Sequence, residues 1–145
     1  MRWYLRYALT YRDLVEMMAE RGLSVSHTTI MHWVHEYSPK LDKRIRPRLR
    51  MTGDSWRVDE TYIRVRRVWM YLYRAVDKNN NVESDHRRIK RLVNHGLGFH
   101  SFNTARKTIR GYEAMHMIRK NQICGAENNY LAQTRFINSL FGIAA

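Results

Sequence analysis

Apolar positions recur at helical spacing through the first third of the chain and at alternating spacing in its middle, so a change of period divides it. Leu14, Val15, Met17 and Met18 lie along one helical face, behind a Thr10–Asp13 pair that resembles a capping box with Asp in the third position. The spacing predicts a helix from about Tyr11 to Arg21. Gly22 supplies a C-cap, Leu23 and Val25 are apolar turn residues, and Ser26 caps a second helix in which Ile30, Trp33, Val34 and Tyr37 share a face. Helix, short Gly-containing turn and helix is the pattern of a helix-turn-helix, and equally of a plain αα-hairpin whose polar face meets water. In the first case His27, Thr28, Met31, His32 and His35, with Thr29 near the start, turn toward a DNA major groove. No carboxylate or Cys accompanies the three histidines at a ligand spacing, so a solvated or DNA-facing role is favoured over a metal site.

After Asp54 the pattern becomes that of strands. Trp56 to Val65 and Val68 to Val76 are rich in Val, Ile, Tyr and Trp and are separated only by Arg66 and Arg67, which predicts a β-hairpin. Arg57, Asp59, Thr61, Ile63 and Val65 share one side of the first strand, which sets Asp59 in an apolar row. A carboxylate there is costly unless a neighbouring Arg neutralises it or it holds a cation. From about Val82 the chain reads as helical to the breakers Gly96 and Gly98. A third helix, about Thr104 to Gln122, follows an Asn103 cap and carries Ile109, Tyr112, Met115, Met117 and Ile118 as core. The tail contains a shorter helix, about Tyr130 to Phe141.

Charge changes the picture. The 145 residues carry 26 Lys and Arg against 13 Asp and Glu, a formal net charge of +13. The surplus lies on both sides of a near-neutral hairpin region and favours a polyanionic partner, because each neutralised phosphate releases condensed counterions. Lys43, Arg44, Arg46, Arg48 and Arg50 form one cluster and Arg87, Arg88, Lys90 and Arg91 another. The first reads as a basic linker over residues 39–53, since Pro39 and Pro47 bracket its charges and Gly53 follows. No apolar run is long enough to span a bilayer, so no membrane partner is expected. The start lacks a signal-peptide pattern and Cys124 is the single cysteine. A reduced, cytoplasmic protein without disulfides is the expectation.

Several motifs carry a resemblance. Tyr4-Leu-Arg-Tyr-Ala8, Tyr11-Arg-Asp13, Glu20-Arg-Gly22, His27-Thr-Thr29, Trp33-Val34, Asp54 to Ile63 and Tyr71 to Asp77 resemble bacterial insertion-sequence transposases of family six. So do Val82 to Arg87, Ile89 to Arg91, Gly98-Phe99, Ser101 to Ala105 and Gly111 to Lys120. The resemblance implies an N-terminal helix-turn-helix and a DDE catalytic domain of RNase H-like fold. In that family three acidic residues hold two divalent ions, Mg²⁺ or Mn²⁺, for DNA strand cleavage and transfer. By motif Asp59 matches the first carboxylate and Glu83 the last, as catalytic and metal-binding residues, and the second Asp has no counterpart. Nothing in the spacing recommends Asp77 or Asp85 as a substitute. Relatives hold several tens of residues where this chain has only Lys78-Asn-Asn-Asn81, which implies an internal deletion. They also have residues ahead of Arg2, which implies a shortened start.

The expected fold class is therefore α+β: a helix-turn-helix at 1–38, the basic linker at 39–53, an incomplete RNase H-like (integrase-type) remnant of a β-hairpin plus helices at 54–122, and a tail with a short helix at 123–145. The expected function is that of a transposase-family protein, for DNA transposition, in a catalytically inactive copy. The alternative is a non-catalytic DNA-binding module that recognises the element's terminal inverted repeats. Its partners would be that DNA and, as an oligomer, itself or an intact transposase. A third reading is a chain that does not fold stably.

Overall fold

The computed structural model describes residues 1–50, 56–77, 90–93, 99–125 and 129–143. Helices α1 (Arg2–Arg6), α2 (Tyr11–Ala19) and α3 (His27–Ile45) lead into a 3-10 turn at Arg46–Arg48. Strands β1 (Trp56–Val65) and β2 (Val68–Asp77) follow, then helices α4 (Phe102–Arg119) and α5 (Tyr130–Leu140). The architecture is mixed α+β, with one two-stranded antiparallel sheet among the described residues.

Helices α2 and α3 begin where their caps dictate. Thr10 Oγ1 accepts the Asp13 backbone N–H at 3.1 Å and Asp13 Oδ2 accepts that of Thr10 at 2.8 Å, a complete capping box. Gly22, at a φ of 74°, turns the chain after α2 in the left-handed region that glycine tolerates. Ser26 Oγ then accepts the Thr29 N–H at 3.1 Å and starts α3.

The basic-linker reading of residues 39–53 needs correction, because α3 does not stop before Pro39 but continues to Ile45. An interior proline removes a backbone donor and crowds the preceding turn, at a cost of about 3 kcal/mol. Ile30 and Val34 before it and Leu41 and Ile45 after it are each 1% exposed or less. Complete burial of one such side chain stabilises by about 1.5–3 kcal/mol, so a stripe spanning the proline outweighs its penalty. Trp33 and Tyr37, expected on the buried face, are only half-buried.

The helices on both sides of the hairpin contribute to one core, in which Leu5, Leu14, Ile30, Val34, Ile109, Tyr112, Met115 and Phe136 are buried. Helix α4 starts at Phe102, capped by Ser101 rather than Asn103: the Ser101 side chain accepts the Thr104 N–H and the Thr104 side chain accepts that of Ser101. Tyr4 stacks on Tyr11 at 4.4 Å and meets Tyr112 at 5.7 Å, which joins α1 to α2 and α4. Burial pushes all three phenols above their ordinary range. The segment expected as a tail joins the core too. Buried Arg6 donates from Nη1 to Gln133 Oε1 on α5 at 2.9 Å, and Phe136 and Ile137 are buried beside it in the core.

The hairpin forms as expected, with the second strand running one residue further, to Asp77. Its register pairs Val65 with Val68, Ile63 with Met70 and Asp59 with Arg74. Ile63 and Val65, at the turn end of the row that contains Asp59, are buried. A two-stranded sheet needs further support, and here the core supplies it together with Phe99. The Phe99 backbone donates to Arg64 O at 2.8 Å and accepts from Arg66 N at 2.9 Å, a fragment of a third strand beside β1.

Candidate nucleic-acid interface and carboxylate positions

Helix α3 presents its N-terminal turn to solvent. His27, Thr28 and His32 are exposed, while Thr29, Met31 and His35 are half-buried. The Thr28 and Thr29 hydroxyls each lie 2.8 Å from Ser26 Oγ, so they are held against the cap. His35 is held below its ordinary value, first by burial, then by the positive charge of Lys107 and by His32. It stays neutral where a free histidine begins to charge. Lys107 belongs to α4, the helix that packs on α3 through Gly111 and Ser38. Sequence reasoning did not single out Lys107, because its only signal was one cation in a long helix whose partner was unknown.

The cations of residues 43–50 divide into two groups. Arg44 Nη1 donates to Leu140 O at the end of α5, at 2.5 Å, and its guanidinium lies 4.5 Å from the Phe141 ring centroid. Arg46 Nε donates to the buried Asp42 carboxylate at 3.0 Å, and Arg48 lies 5.6 Å from the Phe136 ring. These three tie the end of α3 to its surroundings. Lys43 and Arg50 are exposed; Arg50 uses its backbone N–H on Gln122 O at 2.9 Å. Lys90 and Arg91 are exposed on a helical turn at residues 90–93, whereas Arg87 and Arg88 lie outside the described residues.

Of the two candidate carboxylates, Asp59 stands in β1 directly across from Arg74, and Glu83 lies outside the described residues. Among the described residues no three His, Cys, Asp or Glu side chains come together as a group that could hold a metal ion. No helix among the described residues is long and apolar enough to cross a membrane.

Comparison with known proteins gives a consistent answer. A family described as a DDE domain matches residues 53–80 and 78–122. The chain is similar to the transposase for insertion sequence-like element IS431mec of Staphylococcus aureus, with 40% identity over 102 residues, covering 63% of this chain and 46% of that protein. Its similarity to the transposase for insertion sequence element IS257 in transposon Tn4003, also of Staphylococcus aureus, has the same identity and extent. The aligned part spans under half the length of these relatives. No solved structure matches.

Proposed function

Because the chain belongs to the insertion-sequence transposases of the DDE type, we propose that it is a DNA-binding member of that family that recognises element ends and does not carry out strand transfer. The observation that carries the reading is the helix pair α2 and α3, capped at both starts, joined by a short turn and with the first turn of the second helix open to solvent. We read it as a helix-turn-helix, with α3 as recognition helix. His27, Thr28, Thr29, Met31, His32 and His35 then face base edges. Lys43, Arg50, Lys90 and Arg91, with Arg87 and Arg88, face phosphates, while Arg44, Arg46 and Arg48 hold the end of α3.

Loss of catalysis follows from what stands between the two carboxylates. The DDE-domain match falls into two segments that meet at residues 78–80, which supports the internal junction read at Lys78-Asn-Asn-Asn81. The hairpin is then an RNase H-like remnant, with Asp59 and Glu83 as its retained carboxylates. A two-metal clamp of Mg²⁺ or Mn²⁺ needs a further ligand, and the segment that carries the second Asp in relatives is the one missing. Such a protein competes with an intact transposase for the ends or joins it in a mixed oligomer.

The test is a salt titration of the purified chain on the terminal-repeat duplex and on a scrambled duplex, with and without Mg²⁺. Selective binding that persists at physiological salt is expected, since specific contacts add to the charge-driven term. Equal affinity for the two duplexes overturns the recognition reading. Metal-dependent cleavage that disappears in Asp59→Ala or Glu83→Ala overturns the inactive one.

A further inference from the structure

We propose that the outer face of the hairpin is a stacking platform for the unpaired bases of single-stranded nucleic acid. This does not rest on the reading of α3 as a recognition helix, because it concerns a different surface and a different form of the ligand. The face opposite Ile63 and Val65 carries Tyr62 on β1 and Trp69, Tyr71 and Tyr73 on β2. All four rings are exposed, from 43% for Tyr62 to 64% for Tyr73. Large rings that serve only packing turn inward; here the buried positions near the turn are Ile63 and Val65, and the rings stand on the opposite, exposed row.

The rings are arranged in sequence along the strand. Tyr62 and Tyr71 are cross-strand partners with centroids 4.6 Å apart and planes inclined at 52°. Tyr71 and Tyr73 follow at 6.3 Å with planes 14° from parallel. Same-face positions on a strand repeat at about 6.6 Å, a spacing an extended single strand can follow base by base. At the turn end of the face the Arg64 guanidinium lies 5.9 Å from the Trp69 ring, and Arg66 and Arg67 are exposed beside it. The acids on this row are Glu60, across from Tyr73, and by register Asp77, across from Trp56, both toward the end away from the turn. Phosphates are thus favoured toward the turn.

Aromatic rings next to arginine are the combination that binds single strands without sequence preference, by base stacking and backbone neutralisation. Charge decides between this occupant and a second copy of the chain. At a net charge of +13, two copies repel each other, whereas a polyanion is attracted.

The test measures binding of the full chain to labelled oligothymidylate, oligouridylate and the terminal-repeat duplex at matched salt. Tyr71→Leu and Tyr73→Leu keep an apolar side chain and remove the stacking surface, and Tyr71→Phe keeps the ring. Each Leu variant is expected to bind single strands roughly 5- to 100-fold more weakly, with Tyr71→Phe close to the unmodified chain. The salt slope and the duplex affinity should not move, because no cation has been removed. Loss in the thymidylate arm, the uridylate arm or both supports the proposal and identifies the sugar accepted. Leu variants that bind single strands as tightly as the unmodified chain overturn it. A dimer seen by sedimentation that dissociates in Tyr71→Leu also overturns it, since the face would then be covered by a second copy.

Discussion

Gly111 of α4 lies against Ser38 of α3 so closely that a β-carbon on Gly111 would stand 2.6 Å from Ser38 Cβ and 2.9 Å from Leu5 Cδ2. The glycine is there for proximity, since it sits mid-helix where alanine would otherwise be favoured by about 1 kcal/mol. Through this contact the helix carrying the candidate recognition face is fixed to the C-terminal half of the protein. Gly111→Ala is therefore expected to destabilise the fold by about 1–3 kcal/mol, the usual cost of overpacking, measured as a lower urea midpoint. Ser38→Gly in the same chain should recover part of the loss. Strictly additive costs in the double mutant would contradict the contact.

The hairpin turn is built from the wrong residues for its geometry. Arg66 and Arg67 both have positive φ, 48° and 68°, in the left-handed region where a β-carbon is strained. Two-residue hairpin turns of this kind prefer Asn-Gly or Gly. Arg66 is retained by its Nε donation to His100 O at 3.0 Å, so Arg67 is the position to change. Arg67→Gly should stabilise the protein by about 0.5–1 kcal/mol in chemical denaturation. The same substitution should reduce the salt dependence of single-strand binding by about 0.7 in log–log slope if the turn meets phosphate. Gain in stability with loss in slope is the expected signature of a turn whose strain serves charge placement.

Elements that depend on local chemistry were legible in the sequence. The Thr10–Asp13 box, the Ser26 cap and the alternation around Arg66-Arg67 each involve residues within a few positions of one another, and each appears where expected. The miss at Pro39 has a different origin. Proline is a local stop signal, but the stripe from Ile30 to Ile45 is paid for by burial against distant helices that no short window reveals. The same reason hid the structural engagement of Arg44 with Leu140, which are 96 positions apart. The period alone gave Asp59 its row with Ile63 and Val65, while its cross-strand neighbour Arg74 became visible only with the register.

His35 couples the candidate interface to pH. Burial, Lys107 and His32 all oppose its protonation, so its folded pKa lies below the ordinary 6.5. The unfolded chain thus takes up this proton at a higher pH than the folded one. The stability contributed by neutral His35 is whole above the unfolded value and is lost as pH falls through the folded value. Thermal midpoints should decline on acidification through that window, and His35→Gln, which cannot charge, should flatten this part of the profile. A profile of the same steepness in the variant would show that the titration lies elsewhere.

The cations at the end of α3 should separate into two classes when removed singly. Lys43 and Arg50 are exposed, so Lys43→Ala and Arg50→Ala should leave thermal stability nearly unchanged. If they meet phosphate, each lowers the salt slope of duplex binding by about 0.9, and does so alike on terminal-repeat and scrambled DNA. Arg44 is committed to Leu140 O and to the Phe141 ring. Its removal costs a charge-assisted hydrogen bond and a ring contact, so Arg44→Ala should lower the denaturation midpoint, by about 1 kcal/mol for a bond at the surface. It should change the salt slope less than Lys43→Ala does, because its guanidinium is held at Leu140 and Phe141 rather than free to reach a phosphate. Calorimetry and a salt titration on the same three variants check both halves. Equal slopes for Arg44→Ala and Lys43→Ala, without a stability difference, would mean that Arg44 is a phosphate ligand like its neighbours.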